Sequence, residues 1–466
     1  MPPIRLHNSL TRHVDPFEPI TPGRVTIYTC GSTVYRYAHI GNLRTYLFGD
    51  LLRRTLEYLG YDVLYVKNIT DVGHMRETGE DPILLAAEHE GKSPTEIAEF
   101  YTEAWLEDER LLNIRPPDVM PKATDHIPEM IQLTSALIEK GLAYEVEGNV
   151  YFDVSAFPAY GQLSGQRADE MRAGTRVDVE PDKRDPVDFA LWKRAEPDRL
   201  MKWPSPWGEG FPGWHIECSA MSMKYLGERF DIHTGGIDLK FPHHEDEIAQ
   251  SEGATGHRVV NTWMHGEFLT LDDAKMARSV GNVIRVTDLP SKGFQPLDFR
   301  YLALTAHYRS KLDFTYEAMQ AAAHGLRRLR RATDAASDAA AVDLSAEPMA
   351  GYRARFSDAI RDDLAMPAAI AIAHHVASDD GLTPAARRAL FLDFDRVLGL
   401  DLDAPADRVD QPLPAGATEL LERRAAARVA RDYALADALR AELASMGVQV
   451  RDTPGGQVAM ARPNPI

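Results

Sequence analysis

Cysteine is almost missing, with only Cys30 and Cys218 in 466 residues. A disulfide framework is thereby excluded, and a cysteine that matters is expected to be a reduced ligand or nucleophile. No apolar stretch approaches the eighteen or so residues a membrane span requires, and the opening MPPIRLHNSL has no apolar run behind a basic one. The expectation is a cytoplasmic chain with no membrane partner. Basic residues are in deficit, 52 against 70 acidic, for a net charge of −18. Indiscriminate DNA binding needs the opposite balance, so DNA is not an expected partner, although local basic patches still allow an RNA. Neither a Gly-x4-Gly-Lys-Ser/Thr loop nor a Gly-x-Gly-x-x-Gly fingerprint occurs, so no P-loop or standard dinucleotide cradle competes for a nucleotide. With 44% hydrophobic and 26% charged residues the composition is that of a soluble globular protein, and the length suggests about three domains.

What is present reads first as α/β. Val25–Cys30 is a short β-branched strand, Gly31-Ser-Thr turns the chain, and an amphipathic run from about Gly41 to Leu59 predicts a helix. Gly60 closes it and Asp62–Asn68 is a second strand, so the first seventy residues form a βαβ unit of a doubly wound parallel sheet. Residues 83–112 and 126–140 read as helical and Asn149–Val154 as a strand. The Gly, Pro, Asp and Arg content of 164–210 suggests an insertion, after which the sheet is expected to resume near Trp214. From about 316 the composition turns to Ala, Leu and Arg with helical periodicity, the mark of a bundle. A linker, Asp403–Ala417, then precedes two helices ending near Gly447 and a strand-like Val448–Arg451.

Three constellations carry chemistry. In Phe241-Pro-His-His-Glu-Asp-Glu247, Pro242 suits a helix's first turn and places His243 and Glu247 at i and i+4 on one face. Cys30 leaves a strand at its carboxyl end, where open α/β sheets bind ligands, and Cys218 lies just upstream of that helix. Two thiolates, an imidazole and a carboxylate suit zinc; two buried cysteines and a solvated helix start would read the same way. Second, Ala38-His39-Ile-Gly41-Asn42 sits between strand and helix, where backbone N–H groups and His39 would face a phosphate; a plain helix cap is the alternative. Third, Ala274-Lys275-Met276-Ala277-Arg278-Ser279-Val280-Gly281-Asn282 offers two cations to a triphosphate, or is an exposed basic loop.

Taken in order, these elements resemble the cysteinyl-tRNA synthetases of class I. The resemblance runs over nearly the whole chain and includes Tyr28-Thr-Cys30-Gly-Ser-Thr-Val-Tyr35, His39-Ile-Gly-Asn42, Lys183-Arg-Asp-Pro186, Trp203-Pro-Ser-Pro-Trp-Gly208, Pro212-Gly-Trp-His-Ile-Glu-Cys-Ser-Ala-Met221, Asp231-Ile-His233 and Phe241-Pro-His-His-Glu245. It implies one Zn²⁺ per chain on Cys30, Cys218, His243 and Glu247, capturing the thiolate of L-cysteine in a pocket of Gly31, Thr70, Trp214 and His233. It implies ATP with Mg²⁺ as substrate, bound by His39, Gly41, Asn42, Lys275, Arg278 and Ser279, with His39, Asn42, Lys275 and Arg278 as the catalytic set. Cysteine tRNA is the implied partner, and a monomer is expected. The implied domains are a Rossmann-like catalytic domain in two halves, 1–125 and 212–265, split by a connective insertion, 126–211. Then follow a signature-loop and stem-contact region at 266–315, a helical tRNA-binding bundle at 316–405 and a C-terminal anticodon-recognition module at 406–466.

Two departures from that family stand out. Its loop usually reads Lys-Met-Ser-Lys-Ser, whereas Ala277 and Arg278 stand here in the third and fourth places, and Arg278 replaces a compact ammonium by a planar fork. After Asp71, where many relatives carry lysines, this chain reads Val72-Gly-His-Met-Arg-Glu77. Two other functions fit the same resemblance: a cysteine ligase acting on an amino sugar, and a non-catalytic tRNA-binding paralogue. In the bundle, Gly325-Leu-Arg-Arg-Leu-Arg-Arg331 offers arginines to a phosphate backbone or to solvent.

Overall fold

The computed structural model describes residues 3–73, 81–166, 182–271, 274–275, 283–334, 342–404, 416–430, 432–446, 448–453 and 456–461. The chain divides into two compact units, Met1–Leu402 and Asp403–Ile466.

The first unit is organised by a parallel sheet of β1 (Arg24–Thr33), β2 (Asp62–Thr70), β3 (Phe230–Gly236) and β4 (Val260–Gly266), in the order β4-β3-β1-β2. The chain passes from β1 to β2 on one side and later adds β3 on the other, so strand direction of growth reverses between β1 and β3. Open sheets bind ligands at the carboxyl ends beside such a switch point. Helix α1 (Ile40–Tyr58) makes the first crossover. It buries Leu43, Leu47, Leu51 and Leu52 because these recur at helical spacing, and Gly60, at φ +94°, lets the chain turn directly into β2.

Three buried ion pairs fix this layer. Lys67 of β2 donates to both carboxylate oxygens of Glu109 at 2.6 and 2.7 Å, beneath the ring of Trp105. Asp50 of α1 accepts from Arg54 at 2.8 Å and from Arg300 at 2.7 Å. Arg300 also donates to the Leu398 and Leu112 carbonyls, tying α1 to the helices that follow the sheet.

Three expectations are corrected. The helical run at 83–112 is two helices, Pro82–Glu90 and Pro94–Leu111, because Gly91 adopts φ +64° and Ser93 opens a new capping box with Glu96. The sheet does not resume at Trp214: helix α2 (Trp214–Leu226) comes first and β3 starts at Phe230. Among the bundle arginines, Arg330 is buried and donates to the Leu400 and Asp401 carbonyls and to Gln295. It shares the inward face with Leu326 and Leu329, so it is structural and not a phosphate contact. The region read as an insertion also holds a five-stranded antiparallel sheet spanning Ala143 to Pro212.

Helices Tyr316–Asp334, Met349–Arg361, Met366–Ser378 and Pro384–Leu398 follow within the first unit. In the second unit, helices Ala417–Val429 and Tyr433–Ser445 pack with a hairpin, Val448–Thr453 and Gly456–Ala461. Its core is Ala417, Leu420, Leu439, Leu443, Val448 and Val450. No helix among the described residues is long and apolar enough to cross a membrane.

Candidate metal centre and nucleotide cleft

Three distant segments converge at the switch point. Cys30 comes from β1 and Cys218 from the second turn of α2, while His243 and Glu247 come from the first two turns of helix α3 (His243–Thr255). All four are buried, and one donor atom from each lies within 4.8 Å of the others. The two sulfurs are 3.8 Å apart. A tetrahedral ion with metal–sulfur bonds near 2.3 Å sets its sulfurs about 3.8 Å apart, so the spacing suits zinc. His243 Nε2 lies 3.1 Å from Glu247 Oε1.

The surroundings orient these donors as a metal site requires. His243 Nδ1 is 2.8 Å from His215 Nδ1, and His215 Nε2 is 3.2 Å from an Asp246 oxygen. With Nε2 of His243 given to an ion, its Nδ1–H donates to His215, whose Nε2–H donates to Asp246. Burial pushes the Glu247 carboxyl up, but the His233 and His243 imidazoles outweigh it and bring it down to about 2, the ionised form a ligand needs. Burial pushes the Cys30 thiol up and the neighbouring Cys218 adds to the shift, whereas the hydrogen bond with Cys30, helped by the His243 imidazole, brings the Cys218 thiol down. A second set, Cys30, His233, His244 and Glu247, also fits within 4.8 Å and shares two members with the first.

The run His243–Glu247 is not a solvated helix start. Every residue in it is at most 2% exposed, and each has a task. Glu245 accepts from the Gly161, Leu163 and Ser164 amides at 2.7 to 3.1 Å, fastening α3 to the insertion. His244 Nε2 is 3.2 Å from the Cys30 sulfur, and its Nδ1 is 2.8 Å from His265 Nε2.

Beside this cluster lies a cleft of roughly 270 Å³. Cys30, Gly31, Asn42 and Trp214 line it, so one cavity joins the cluster to the helix α1 end. Gly31 is required: a Cβ there would stand 1.5 Å from the Asn68 carbonyl oxygen. Trp214, 38% exposed, lays its ring against His243 with centroids 4.7 Å apart. The other two residues expected in the amino-acid pocket are buried. His233 Nε2 meets Glu247 Oε2 at 2.9 Å and its ring stacks on Trp263. Thr70 Oγ accepts from the Asn68 amide at 3.1 Å.

His39 is the N-cap of α1. Its Nδ1 accepts from the Asn42 amide at 3.2 Å, while Asn42 Oδ1 accepts from the His39 amide at 3.3 Å. A neutral imidazole in this cap carries its proton on Nε2 and is a donor there. Gly41 allows the cap, since a Cβ would stand 2.9 Å from His39 Nδ1. The helix end is less open than the sequence suggests, because the Ile40 amide donates to the Ile284 carbonyl at 2.9 Å. Lys275 lies on a two-residue strand opposite Thr270, whereas Arg278 and Ser279 lie outside the described residues.

Sequence reasoning missed several participants. Asn68 takes the Gly31 amide at 2.8 Å and stands 3.8 Å from the Cys218 sulfur. His215, His265, Asp238 and Thr45 also belong to the cluster or the cleft. His215 was visible within the Trp-His-Ile-Glu-Cys stretch, and the others carry no local signal.

Residues 16–324 match the family described as tRNA synthetases class I (C) catalytic domain, and residues 410–458 match the Cysteinyl-tRNA ligase anticodon binding domain. The chain is similar to the cysteine–tRNA ligase of Treponema denticola, at 42% identity over 97% of this chain and 98% of that one. It is similar to that of Thermus thermophilus at 45% identity over 97% and 98%. Cysteine–tRNA ligase 1 of Burkholderia lata is 46% identical over 98% and 96%. Among solved structures, Mycobacterium tuberculosis methionyl-tRNA synthetase in complex with methionyl-adenylate shares the fold, with a TM-score of 0.55, 16% identity and coverage of 95% and 98%.

Proposed function

The chain belongs to the cysteine–tRNA ligase family of class I aminoacyl-tRNA synthetases, and from that premise we propose that it joins L-cysteine to cysteine tRNA using ATP, with zinc on Cys30, Cys218, His243 and Glu247. The observation that carries this reading is the buried gathering of two thiols, an imidazole and a carboxylate within 4.8 Å, from segments scattered between residues 30 and 247. Zinc there supplies a soft seat that takes a thiolate far better than a hydroxyl, which separates cysteine from serine where pocket size cannot.

The chain's own residues do the rest. Gly31 and Trp214 line the cleft wall beside the cluster, where the amino acid would lie. Thr70 and His233 act from behind it, Thr70 on Asn68 and His233 on Glu247. In the first step a cysteine carboxylate oxygen bonds to the α-phosphorus of ATP and the bond to pyrophosphate breaks. Nε2–H of His39 and the side-chain Nδ2 of Asn42 face the charge that grows on the α-phosphate, while Gly41 admits the nucleotide to the helix end. Lys275 and Arg278 would offset the charge of the leaving pyrophosphate and Ser279 would donate a hydrogen bond to it, with Mg²⁺ supplying further positive charge when bound. In the second step the terminal ribose hydroxyl of the tRNA takes the acyl group and AMP leaves. Catalysis is positioning plus charge stabilisation, and no side chain becomes covalently linked to substrate. The helices at 316–405 would meet the tRNA stem and the module at 406–466 its anticodon.

The test is aminoacylation by the purified full chain with ATP, cysteine and tRNA transcripts, with serine as competitor. The expected outcome is acylation of cysteine tRNA with serine rejected by about 10⁴ or more. Transfer to an amino sugar in place of tRNA, or acylation of no tRNA, would overturn the reading.

A further inference from the structure

One wall of the cleft ends in a stack that the reaction above does not use. Arg285 lays its guanidinium over the Tyr37 ring, with Cζ 3.5 Å from the centroid. Tyr37 lines the cleft two residues before His39, and its ring meets Tyr101 and Phe100 edge-on at 5.2 and 6.1 Å. The guanidinium therefore closes the face of a ring whose flanks are already packed. One residue earlier, the Ile284 carbonyl takes the Ile40 amide, so backbone and side chain together bind this segment to the first turn of α1.

Among the described residues, Arg285 Nε is buried without a partner, and so is Oδ2 of Asp108, a buried carboxyl on which Arg285 is the opposing charge. A half-buried arginine near a buried carboxyl oxygen that lacks a partner ordinarily pairs with it. Here the aromatic face decides the position.

We infer that Arg285 is a positioning residue for ATP: by clamping Tyr37 against Tyr101 and Phe100, it fixes the cleft wall beside His39 in the shape the nucleotide meets. This rests on the cleft being the nucleotide seat. Without the clamp Tyr37 gains rotamers, and binding must then order it. Cysteine would sit on the Cys30 and Trp214 side of the cleft, so the effect is expected to fall on the nucleotide.

The experiment uses the zinc-loaded full chain and calorimetric titration with a non-hydrolysable ATP analogue and, separately, with L-cysteine. Arg285→Ala is expected to weaken the analogue about tenfold and to leave cysteine within about twofold. Arg285→Lys should fall between, since an ammonium keeps the charge over the ring and loses the planar stack. Tyr37→Leu should match Arg285→Ala, and the double variant should be no worse than either single one. Unchanged analogue binding in Arg285→Ala, equal weakening of both ligands, or additive losses in the double variant would overturn the inference. A parent enzyme that binds the analogue and acylates no tRNA would overturn the proposed function and leave this inference standing.

Discussion

His233 holds the Glu247 carboxylate from behind, Nε2 to Oε2 at 2.9 Å, while His243 reaches the other oxygen. The resemblance makes His233 a wall of the amino-acid pocket; the geometry makes it the residue that orients the Glu247 carboxylate. Such partners typically govern affinity by 10- to 100-fold, about that loss being expected for His233→Phe. Zinc affinity measured against a competing chelator checks this. An unchanged affinity with a raised KM for cysteine would return His233 to the pocket wall.

Cys218→Ser removes one of the two thiol donors of the proposed set, so the variant should carry less zinc than the parent, read by elemental analysis. Cysteine-dependent ATP–pyrophosphate exchange should fall with it. Binding of a non-hydrolysable ATP analogue should persist, because the N-cap of α1 does not depend on the cluster.

The Lys67–Glu109 pair is a stability element, with side chains 0% and 3% exposed. Lys67→Met leaves a buried carboxylate unpaired and should cost about 3–5 kcal/mol, whereas Lys67→Met with Glu109→Leu should recover most of it. Denaturant unfolding of the three proteins decides, and a double variant as unstable as the single one would show that packing rather than charge is at stake.

Asp108 sets a pH dependence. Burial pushes its carboxyl up to about 7, with Arg285 opposing and Glu107, Asp288 and Glu109 adding. The folded chain then keeps a proton that the unfolded chain, at 3.8, has released, so stability falls as pH rises between those values. Asp108→Asn should unfold at a higher temperature than the parent at pH 8 and at the same temperature near pH 4. Equal melting temperatures at pH 8 would refute the assignment.

Arg278 tests the altered signature. Arg278→Ala should slow ATP–pyrophosphate exchange at least about tenfold, the effect of removing one transition-state cation. An unchanged rate would remove Arg278 from the catalytic set.

Local patterns made much of this legible. The spacing of His243 and Glu247 gave their shared helix face, and β-branched Val25–Cys30 followed by a helical period gave the βαβ unit. Neither pattern says that Glu245 and Asp246 point inward, because a run of charges at a helix start looks solvated until Gly161, Leu163 and Ser164 are brought to it. The Arg327–Arg331 run misled in the opposite direction, since helical phase alone does not say which arginine faces a core.

The order of residues determined the parallel-sheet class, the ends of the first crossover, and which side chains were chemically able to bind a soft cation. Convergence was decided in three dimensions. Cys30 and Cys218 are 188 positions apart, and only the crossing of β1 by α2 sets their sulfurs 3.8 Å apart. Chemical type is written residue by residue, whereas a binding site depends on distances between atoms that chain order leaves unconstrained.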